Sequence, residues 1–375
     1  MKILIIGGSG ILSTDFTKLC LDRNNEVYIL NRGRRKAFID ERANLVVADI
    51  RNESVELLKE KLAIHKYDVV VDFLTYTPEQ MKKTLSIIEG RFTQYIFISS
   101  ATAYIKDDAN QLITEQNKIG NADWDYAFQK SCCENYLSQQ DVNYTIIRPY
   151  VTFGVSRIPF PIIPDGYNYT LLERIKENKP VVMLDGGNNI CTLTNTKDFA
   201  EVLYRLLLNE NAYREDFHIT SSNRQSWKEV YLTLCKVLGK KANICSVNID
   251  DIHKYMPEFE AVLKGDKGQN MLFDNRKVLN AVGGYKFKYD LYDSIKDSVA
   301  YFENAQEMQR IDFKFDGRCD FLIYVKFHQK HTRVKNNNLE SNNVVWYYIM
   351  SNPVLRFIYE KARLIKNVFH KFIGR

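Results

Sequence analysis

The chain has no run of about eighteen consecutive apolar residues, so no segment of it reads as a membrane-spanning helix. It also lacks a basic opening followed by an apolar stretch: Lys2 leads straight into Ile3–Ile6, and no secretory leader is expected. Its seven cysteines (Cys20, Cys132, Cys133, Cys191, Cys235, Cys245, Cys319) are odd in number and show no paired C-x-x-C spacing. That pattern speaks against a disulfide framework or a zinc ribbon, and for thiols kept reduced in a cytoplasm. His328 and His331 form an H-x-x-H pair without a further ligand nearby, so no metal site is expected. Internal repeats are missing, and only the polar stretch around Asn336–Asn338 reads as a linker. Acidic residues are scarce at the C-terminal end, where residues 310–375 hold 13 Lys/Arg against 5 Asp/Glu. The surplus behind the net charge of +6 therefore sits in that tail, and the body is slightly acidic. A hydrophobic content of 45% and 375 residues allow a large core, as one unit with a second lobe or as two domains.

What is present begins with Lys2–Ile6, a short apolar run of the kind buried on both faces of a parallel sheet. Gly7, Gly8, Ser9, Gly10, Ile11, Leu12 and Ser13 follow, and the helical pattern Leu12, Phe16, Leu19, Cys20 begins among them. Glycine in such a turn lets the backbone approach an anion, and the positive end of the next helix favours a pyrophosphate. The last position of Gly7-x-x-Gly10-x-x-Ser13 departs from a three-glycine fingerprint, but the strand before and the helix after are both there. A second strand, Glu26–Leu30, ends in Asn31, Arg32, Gly33, Arg34, Arg35, Lys36, with no carboxylate before Asp40. An acidic residue at that place would accept from the ribose 2′-hydroxyl of NAD, whereas an arginine suits a 2′-phosphate. The expectation is NAD(P), with NADP favoured, Asn31 and Arg32 at the cofactor and Arg32 as the contact to the 2′-phosphate; a solvated basic loop is the alternative.

Further strands at Asn44–Ala48, Asp68–Asp72, Tyr95–Ser99 and Tyr144–Ile147 alternate with helical patterns over 55–63, 78–89 and 125–137. This spacing implies right-handed crossovers and an α/β fold, a Rossmann-type doubly wound parallel sheet. Ligands of such sheets sit at the carboxyl ends of the strands, which directs Thr75, Ser99, Ser100 and Arg148 to one crevice. From Thr152 to Pro180 the composition turns to loop chemistry. Smaller elements follow: strands at Val181–Leu184, Cys191–Thr194 and Phe217–Thr220, and helices at Lys197–Leu208, after the N-cap Ser226, and over 276–281 and 290–303. The expected organisation is a dinucleotide-binding domain over 1–152, a smaller α/β substrate-binding lobe over 153–309, and a basic amphipathic helical tail over 310–375.

Tyr126 and Lys130 stand at i and i+4 on the 125–137 helix and share one face. An ammonium beside a phenol favours the phenolate, so Tyr126 could serve as acid or base near neutral pH. Such a pair is common by itself. Here it lies between the fifth and sixth strands, downstream of a dinucleotide turn, with Ser99–Ser100 closing the fifth strand.

On these residues the chain resembles the extended short-chain dehydrogenases/reductases of the NAD-dependent epimerase/dehydratase kind, over about residues 1–305. The resemblance is carried by Gly7–Gly10, Asp49–Ile50, Ser99–Tyr104, Tyr126 with Lys130, and Arg148–Pro149. Later it is carried by Asp185–Gly187, Lys197–Ala200, and Phe217–Thr220 with Trp227. It implies that Ser100 bonds the substrate oxygen, Tyr126 transfers its proton, and Lys130 holds the nicotinamide ribose while lowering the Tyr126 pKa. It further implies that Gly7 to Leu12 cradle the pyrophosphate, that Asp49 and Ile50 flank the adenine, and that a sugar or nucleotide-sugar exchanges a hydride with the nicotinamide. Three positions depart from the family's pattern. Ala101 and Thr102 replace the Asp–Glu pair of sugar dehydratases. Cys191 stands where an arginine grips a substrate diphosphate, leaving Arg157, Arg224, Lys264 or Lys267 to supply that charge. The segment between the fourth and fifth strands is short and shows no counterpart of the helix asparagine. The basic end of the second strand and that short segment resemble the atypical extended branch, which includes plastid proteins reported to bind RNA.

In the tail, residues 320–327 and 344–350 are apolar and aromatic, and Pro353 can open a helix reaching Phe372. On a helical wheel Val354, Ile358, Ala362, Ile365, Phe369 and Phe372 fall on one side and Arg356, Arg363, Asn367 and His370 on the other. Such a helix could dock on the body or on a twin subunit in a homodimer, or lie as a peripheral contact of residues 353–375 on the inner face of an anionic membrane; nucleic acid is the least favoured partner. The function expected is an NAD(P)-dependent epimerase or reductase, and the alternative is a non-enzymatic dinucleotide-binding or RNA-contacting protein.

Overall fold

The computed structural model describes residues 1–62, 65–106, 112–328 and 344–373, with the side chains of Lys36, Val344 and residues 364–373 excepted. His331, the stretch Asn336–Asn338, and the tail side chains Ile365, Asn367, Phe369, His370 and Phe372 lie outside what is described. Two compact units emerge, and the chain passes between them more than once: residues 1–159, 189–225 and 264–294 form the first, and residues 160–188, 226–263 and 295–375 the second.

The first unit is built on β1 (Lys2–Ile6), β2 (Glu26–Asn31), β3 (Asn44–Val47), β4 (Tyr67–Asp72), β5 (Phe92–Ile98) and β6 (Tyr144–Ile147). Its first four helices are α1 (Ile11–Asp22), α2 (Val55–Leu62), α3 (Pro78–Ile88) and α4 (Asp125–Leu137). The main elements that follow, leaving aside short strands and single turns, are α5 (Asn168–Lys176), β7 (Val181–Leu184), α6 (Thr196–Tyr204), β8 (Glu215–Phe217), α7 (Trp227–Val237), β9 (Ile244–Val247), α8 (Ile249–Tyr255), α9 (Arg276–Ala281), α10 (Leu291–Asn304), α11 (Phe313–Phe327), α12 (Val344–Ser351) and α13 (Pro353–Ile373). The central sheet has the order β8-β6-β5-β4-β1-β2-β3, and every pairing described in it is parallel.

Period-two alternation divides this unit's core in two. Ile3, Ile5, Val27, Ile29, Val69, Val71, Ile96 and Ile98 meet Phe16 and Cys20 of α1 and Phe199 and Leu203 of α6. Leu4, Ile6, Leu30, Val70, Tyr95 and Phe97 point the other way, onto Leu58 of α2, Met81 and Ile88 of α3, and Cys133 and Leu137 of α4. Burial on both faces is why these strands read as unbroken apolar runs. The strand order reverses between β1 and β4, the place where doubly wound sheets bind ligands. Phe217–Thr220, expected as a strand, is one only as far as Phe217. His218 leaves the ladder because its amide donates to Glu115 and its ring is held by Tyr104.

In the second unit β7 and β9 pair in parallel, and Val182, Cys245, Val247, Ile252, Phe315, Cys319, Leu322 and Ile323 share one core. α7 begins with the expected N-cap, Ser226, in a capping box with Glu229. The tail does not begin at residue 310. α11 is an integral helix of this unit, and Arg174 and Lys179 pair there with Asp316 and Asp320, all four of them buried. The seven cysteines form no disulfide.

Candidate active site

β1 ends in a turn that only glycine makes without strain: Gly7 has φ +118° and Gly8 φ +77°. A β-carbon on Gly8 would come within 2.5 Å of Ile29, and one on Gly7 within 3.3 Å of Phe73 and Leu74. Gly10 then N-caps α1, with its amide bonded to the Ser13 hydroxyl at 2.9 Å. Ser13, the departure from the glycine fingerprint, thus closes the capping turn itself. Asn31 buttresses the same turn, its amide donating to the Gly7 carbonyl at 2.8 Å while its oxygen accepts from Gly33. Its side chain, expected on the cofactor, is occupied in holding the glycine turn. Ser9, Ile11 and Leu12 line the exit of the turn and are partly exposed, as an anion cradle requires.

Arg32 is exposed at the end of β2. Asp49 accepts from the Arg51 amide and from Asn52, and its carboxyl is held below its usual range by that Asn52 bond first and, more weakly, by the Arg32 charge. Its carboxylate is therefore a turn acceptor. Ile50 and Thr75 contribute to a cleft of about 210 Å³, together with Leu74, Gln80 and Thr84. Thr75 spends its hydroxyl on Asp72 at 2.6 Å and its carbonyl on Lys130.

Two residues directed to the crevice from sequence do not serve it. The Ser99 hydroxyl turns to Glu134, and Arg148 pairs with Glu134 and Asp216 and donates to Tyr104 at 2.8 Å. Arg148 and Glu134 are buried, and a buried guanidinium demands such partners, so the pair is a structural tie between β6 and α4.

Ser100, Tyr126 and Lys130 do come together. The Ser100 hydroxyl is close enough to the Tyr126 phenol to lower its pKa, and it lies 2.8 Å from the hydroxyl of Thr102. Tyr76 stacks on the Tyr126 ring at 5.7 Å, and Trp124 packs against it at 4.9 Å. Lys130 lies buried beneath, 5.9 Å from the Tyr126 ring. Lys130 does not lower the Tyr126 pKa as the sequence suggests. Burial pushes that phenol above its ordinary value, opposed by the Ser100 hydroxyl and the Arg157 charge and reinforced by Asp266. Lys130 itself is pushed down to about 8 by burial.

Asp266 is a site residue the sequence does not reveal, standing between Lys264 and Lys267, which are singled out only as cations for a substrate diphosphate. Leu263–Lys267 makes a π-helical turn, a form concentrated at functional sites. The Gly265 carbonyl in it accepts from Asn121 at 2.7 Å and Lys106 at 2.9 Å, which ties this turn to the segment before α4. Asp266 is buried, with Oδ1 lacking a hydrogen bond but 3.8 Å from the Lys106 ammonium, and its pKa is raised by that burial. Cys191 is also buried, its thiol directed to the Gln225 carbonyl. Of the four cations that could stand in for the arginine expected there, Arg157 is the one whose charge acts on Tyr126.

The model of the NAD dependent epimerase/dehydratase family matches residues 3–219, more than half of the chain. A chloroplast stem-loop binding protein of 41 kDa (b) from Arabidopsis thaliana is 24% identical over 320 residues, covering 79% of this chain and 78% of its own. The UDP-glucose 4-epimerase of Lactobacillus helveticus is 27% identical over 179 residues, 42% of this chain and 53% of that one. Among solved structures, an epimerase of Methanothermobacter thermautotrophicus superposes with a TM-score of 0.69 at 16% identity, covering 82% of this chain and 94% of its own. The UDP-glucuronic acid 4-epimerase of Bacillus cereus, solved with UDP-glucuronic acid and NAD, gives 0.64 at 16% identity over 81% and 99%. These two likenesses show the fold.

Proposed function

The chain belongs to the NAD dependent epimerase/dehydratase family, and from that premise we propose an NAD(P)-dependent epimerase or reductase acting on a sugar or nucleotide-sugar. The observation that carries this reading is the placing of Ser100, at the end of β5, where its hydroxyl acts on the Tyr126 phenol, at the same edge of the sheet as the glycine turn of β1. The glycine turn fits a dinucleotide, since its positive-φ backbone at Gly7 and Gly8 leads directly into the N-terminus of α1, where a pyrophosphate is favoured. Gly7 to Leu12 would hold the pyrophosphate, Ile50 would flank the adenine, and Arg32 would meet a 2′-phosphate, which favours NADP. When bound, the nicotinamide supplies the hydride acceptor and donor for a carbinol or carbonyl carbon.

Ser100 orients the substrate oxygen by donating to it. Tyr126 holds a proton at rest, because burial keeps its phenol neutral, and can deliver it to a carbonyl oxygen. Delivery leaves a phenolate, which the Arg157 charge favours; run the other way, that phenolate takes the proton of a substrate hydroxyl and returns to the phenol while the hydride leaves the carbon. Lys130 positions the floor of the site through the ends of β4 and β5.

The test is mass spectrometry of the native purified protein, followed by incubation with UDP-glucose and UDP-glucuronic acid and NMR of the products. Retained NAD(H) or NADP(H) with epimerised sugar supports an epimerase, and net oxidation or reduction with cofactor exchange supports a reductase. A protein that binds neither dinucleotide overturns both. The likeness to a stem-loop binding protein over most of both chains favours a second reading, nucleic-acid binding without turnover. That reading predicts affinity for an RNA hairpin that survives Tyr126→Phe.

A further inference from the structure

α13 is turned inside out with respect to the protein that carries it. A helix docked on its own body would bury Val354 and Ile358 and leave Arg356 in water. The structure does the reverse. Arg356 is only 6% exposed, with Nε on Glu360 at 2.6 Å, Nη2 3.4 Å from the Tyr255 carbonyl, and its guanidinium 4.4 Å from the Phe321 ring. Val354, Phe357 and Ile358 are 66%, 61% and 57% exposed, and Leu355 is exposed beside them.

The same face continues onto α12, where Val345, Trp346 and Tyr348 are exposed. This face belongs to a firmly anchored element. The Tyr347 hydroxyl donates to Asp320 at 2.6 Å, and a β-carbon on Gly317 would meet the Tyr347 carbonyl at 2.6 Å, so α11 and α12 lie backbone to backbone. Cations frame the apolar residues. Lys361 and Arg363 are exposed, and Lys314 Nζ sits 4.9 Å from the Trp346 ring and 5.1 Å from the Tyr359 ring. Residues 344–375 contain six Lys/Arg against a single acid, Glu360.

We propose that the exposed face of α12 and α13 docks on an anionic lipid bilayer, with α13 lying in the plane of the interface. Adjacent Val, Leu, Phe and Ile side chains in water are unfavourable, and a contiguous set of them marks a contact surface. Flanking cations select an anionic surface, and Trp346, Tyr348 and Tyr359 suit the headgroup layer, where a ring meets hydrocarbon and a polar edge meets water. A second copy seated on this face by two-fold symmetry would bring cation against cation. Nucleic acid would pair with the cations but leave Val354, Phe357 and Ile358 wet. Among the described residues no helix is long and apolar enough to cross a membrane, so this contact lies on the bilayer.

The test is sedimentation of the full-length protein with vesicles of phosphatidylcholine containing about one-third phosphatidylglycerol, against phosphatidylcholine alone. Binding is expected on the anionic vesicles and is expected to weaken with salt. The double variant Phe357→Glu/Ile358→Glu should lower partitioning at least about tenfold. Lys361→Glu should lower it about fivefold or more. Circular dichroism and the thermal midpoint should stay at wild-type values, because all three side chains are exposed. Absence of binding to anionic vesicles by the folded full-length protein overturns the proposal. So does partitioning that neither variant changes, or variants that alter oligomer mass or RNA-hairpin affinity while vesicle binding is untouched.

Discussion

Lys130 donates its ammonium to the Thr75 carbonyl oxygen at 2.7 Å, and a second proton goes to Ile98 at 2.8 Å. Thr75 lies just beyond β4 and Ile98 ends β5, so one side chain of α4 staples two strand ends under the site. Its effect on the Tyr126 phenol is geometric, since the charges acting on that phenol are Arg157 and Asp266. Lys130→Met is expected to lower dinucleotide affinity and the thermal midpoint. The pH–rate midpoint set by Tyr126 should move by less than roughly half a unit. A midpoint more than a unit higher in the variant would restore direct electrostatic activation.

Tyr126→Phe removes the phenolic hydroxyl on which Ser100 acts without disturbing the ring stacked against Tyr76 and Trp124. Turnover should fall by about 10²–10⁴-fold, the usual worth of a positioned acid or base. Dinucleotide affinity, measured by fluorescence titration, should stay within about threefold of wild type. Unchanged turnover would remove Tyr126 from the chemistry.

Arg32 decides the cofactor question. It is exposed at the end of β2, and Asp49, whose pKa its charge helps to lower, is occupied with Asn52. Arg32→Ala should weaken NADPH by about tenfold or more, the worth of a lost charge-assisted bond to phosphate, and leave NADH nearly unchanged. Equal losses for both would assign the arginine to the shared pyrophosphate instead.

The sheet was legible in sequence because strands buried on both faces cannot hide their apolar runs, and α4 and β6 begin and end where the pattern puts them. The glycine turn and the Tyr126–Lys130 pair were legible for a related reason, each depending on local spacing along one stretch, whereas Ser100 joined the pair only through the family resemblance. What could not be read depends on partners distant in sequence. Arg148 and Ser99 are claimed by Glu134, Asn31 by Gly7, and Asp266 reaches Tyr126 from 140 positions away, through a π-turn with no sequence signature. The wheel separates the two sides of α13 but leaves open which of them faces inward. A wheel assigns faces by polarity, and here an arginine is satisfied by Glu360 and a phenyl ring while apolar side chains face out.

Asp266→Asn preserves shape and deletes a negative charge that raises the Tyr126 pKa. The Tyr126-dependent limb of the pH–rate profile should therefore shift toward acid, by roughly half a unit for a charge of this kind. A uniform loss of kcat with an unshifted profile would instead make Asp266 a structural or substrate-binding carboxyl.

His218 gives the fold a pH dependence separate from catalysis. The side chain is fully buried. Its Nε2 lies 2.7 Å from the Asp274 carbonyl oxygen and so carries the proton, leaving Nδ1 to accept from the Tyr104 hydroxyl at 3.1 Å. That hydroxyl already accepts from Arg148, and the guanidinium leaves little room for a second positive charge. Burial above all, and Arg148 in addition, push the imidazole down to about 4, against the Asp274 carbonyl and the Asp216 charge, which raise it. Glu115, 3.6 Å from Nδ1, is itself pushed up by burial. Between an unfolded value of 6.5 and the folded value of about 4, the unfolded chain binds a proton that the native protein refuses. This contribution to stability is therefore complete above pH 6.5 and is lost as the pH falls toward 4, at up to about 1.4 kcal/mol per pH unit. Urea unfolding of wild type and His218→Gln at pH 7, 6 and 5 checks it. The variant should be less stable at pH 7 and lose stability more slowly on acidification, so the two curves converge. Parallel curves would place the acid sensitivity in the carboxylates and leave His218 a packing residue.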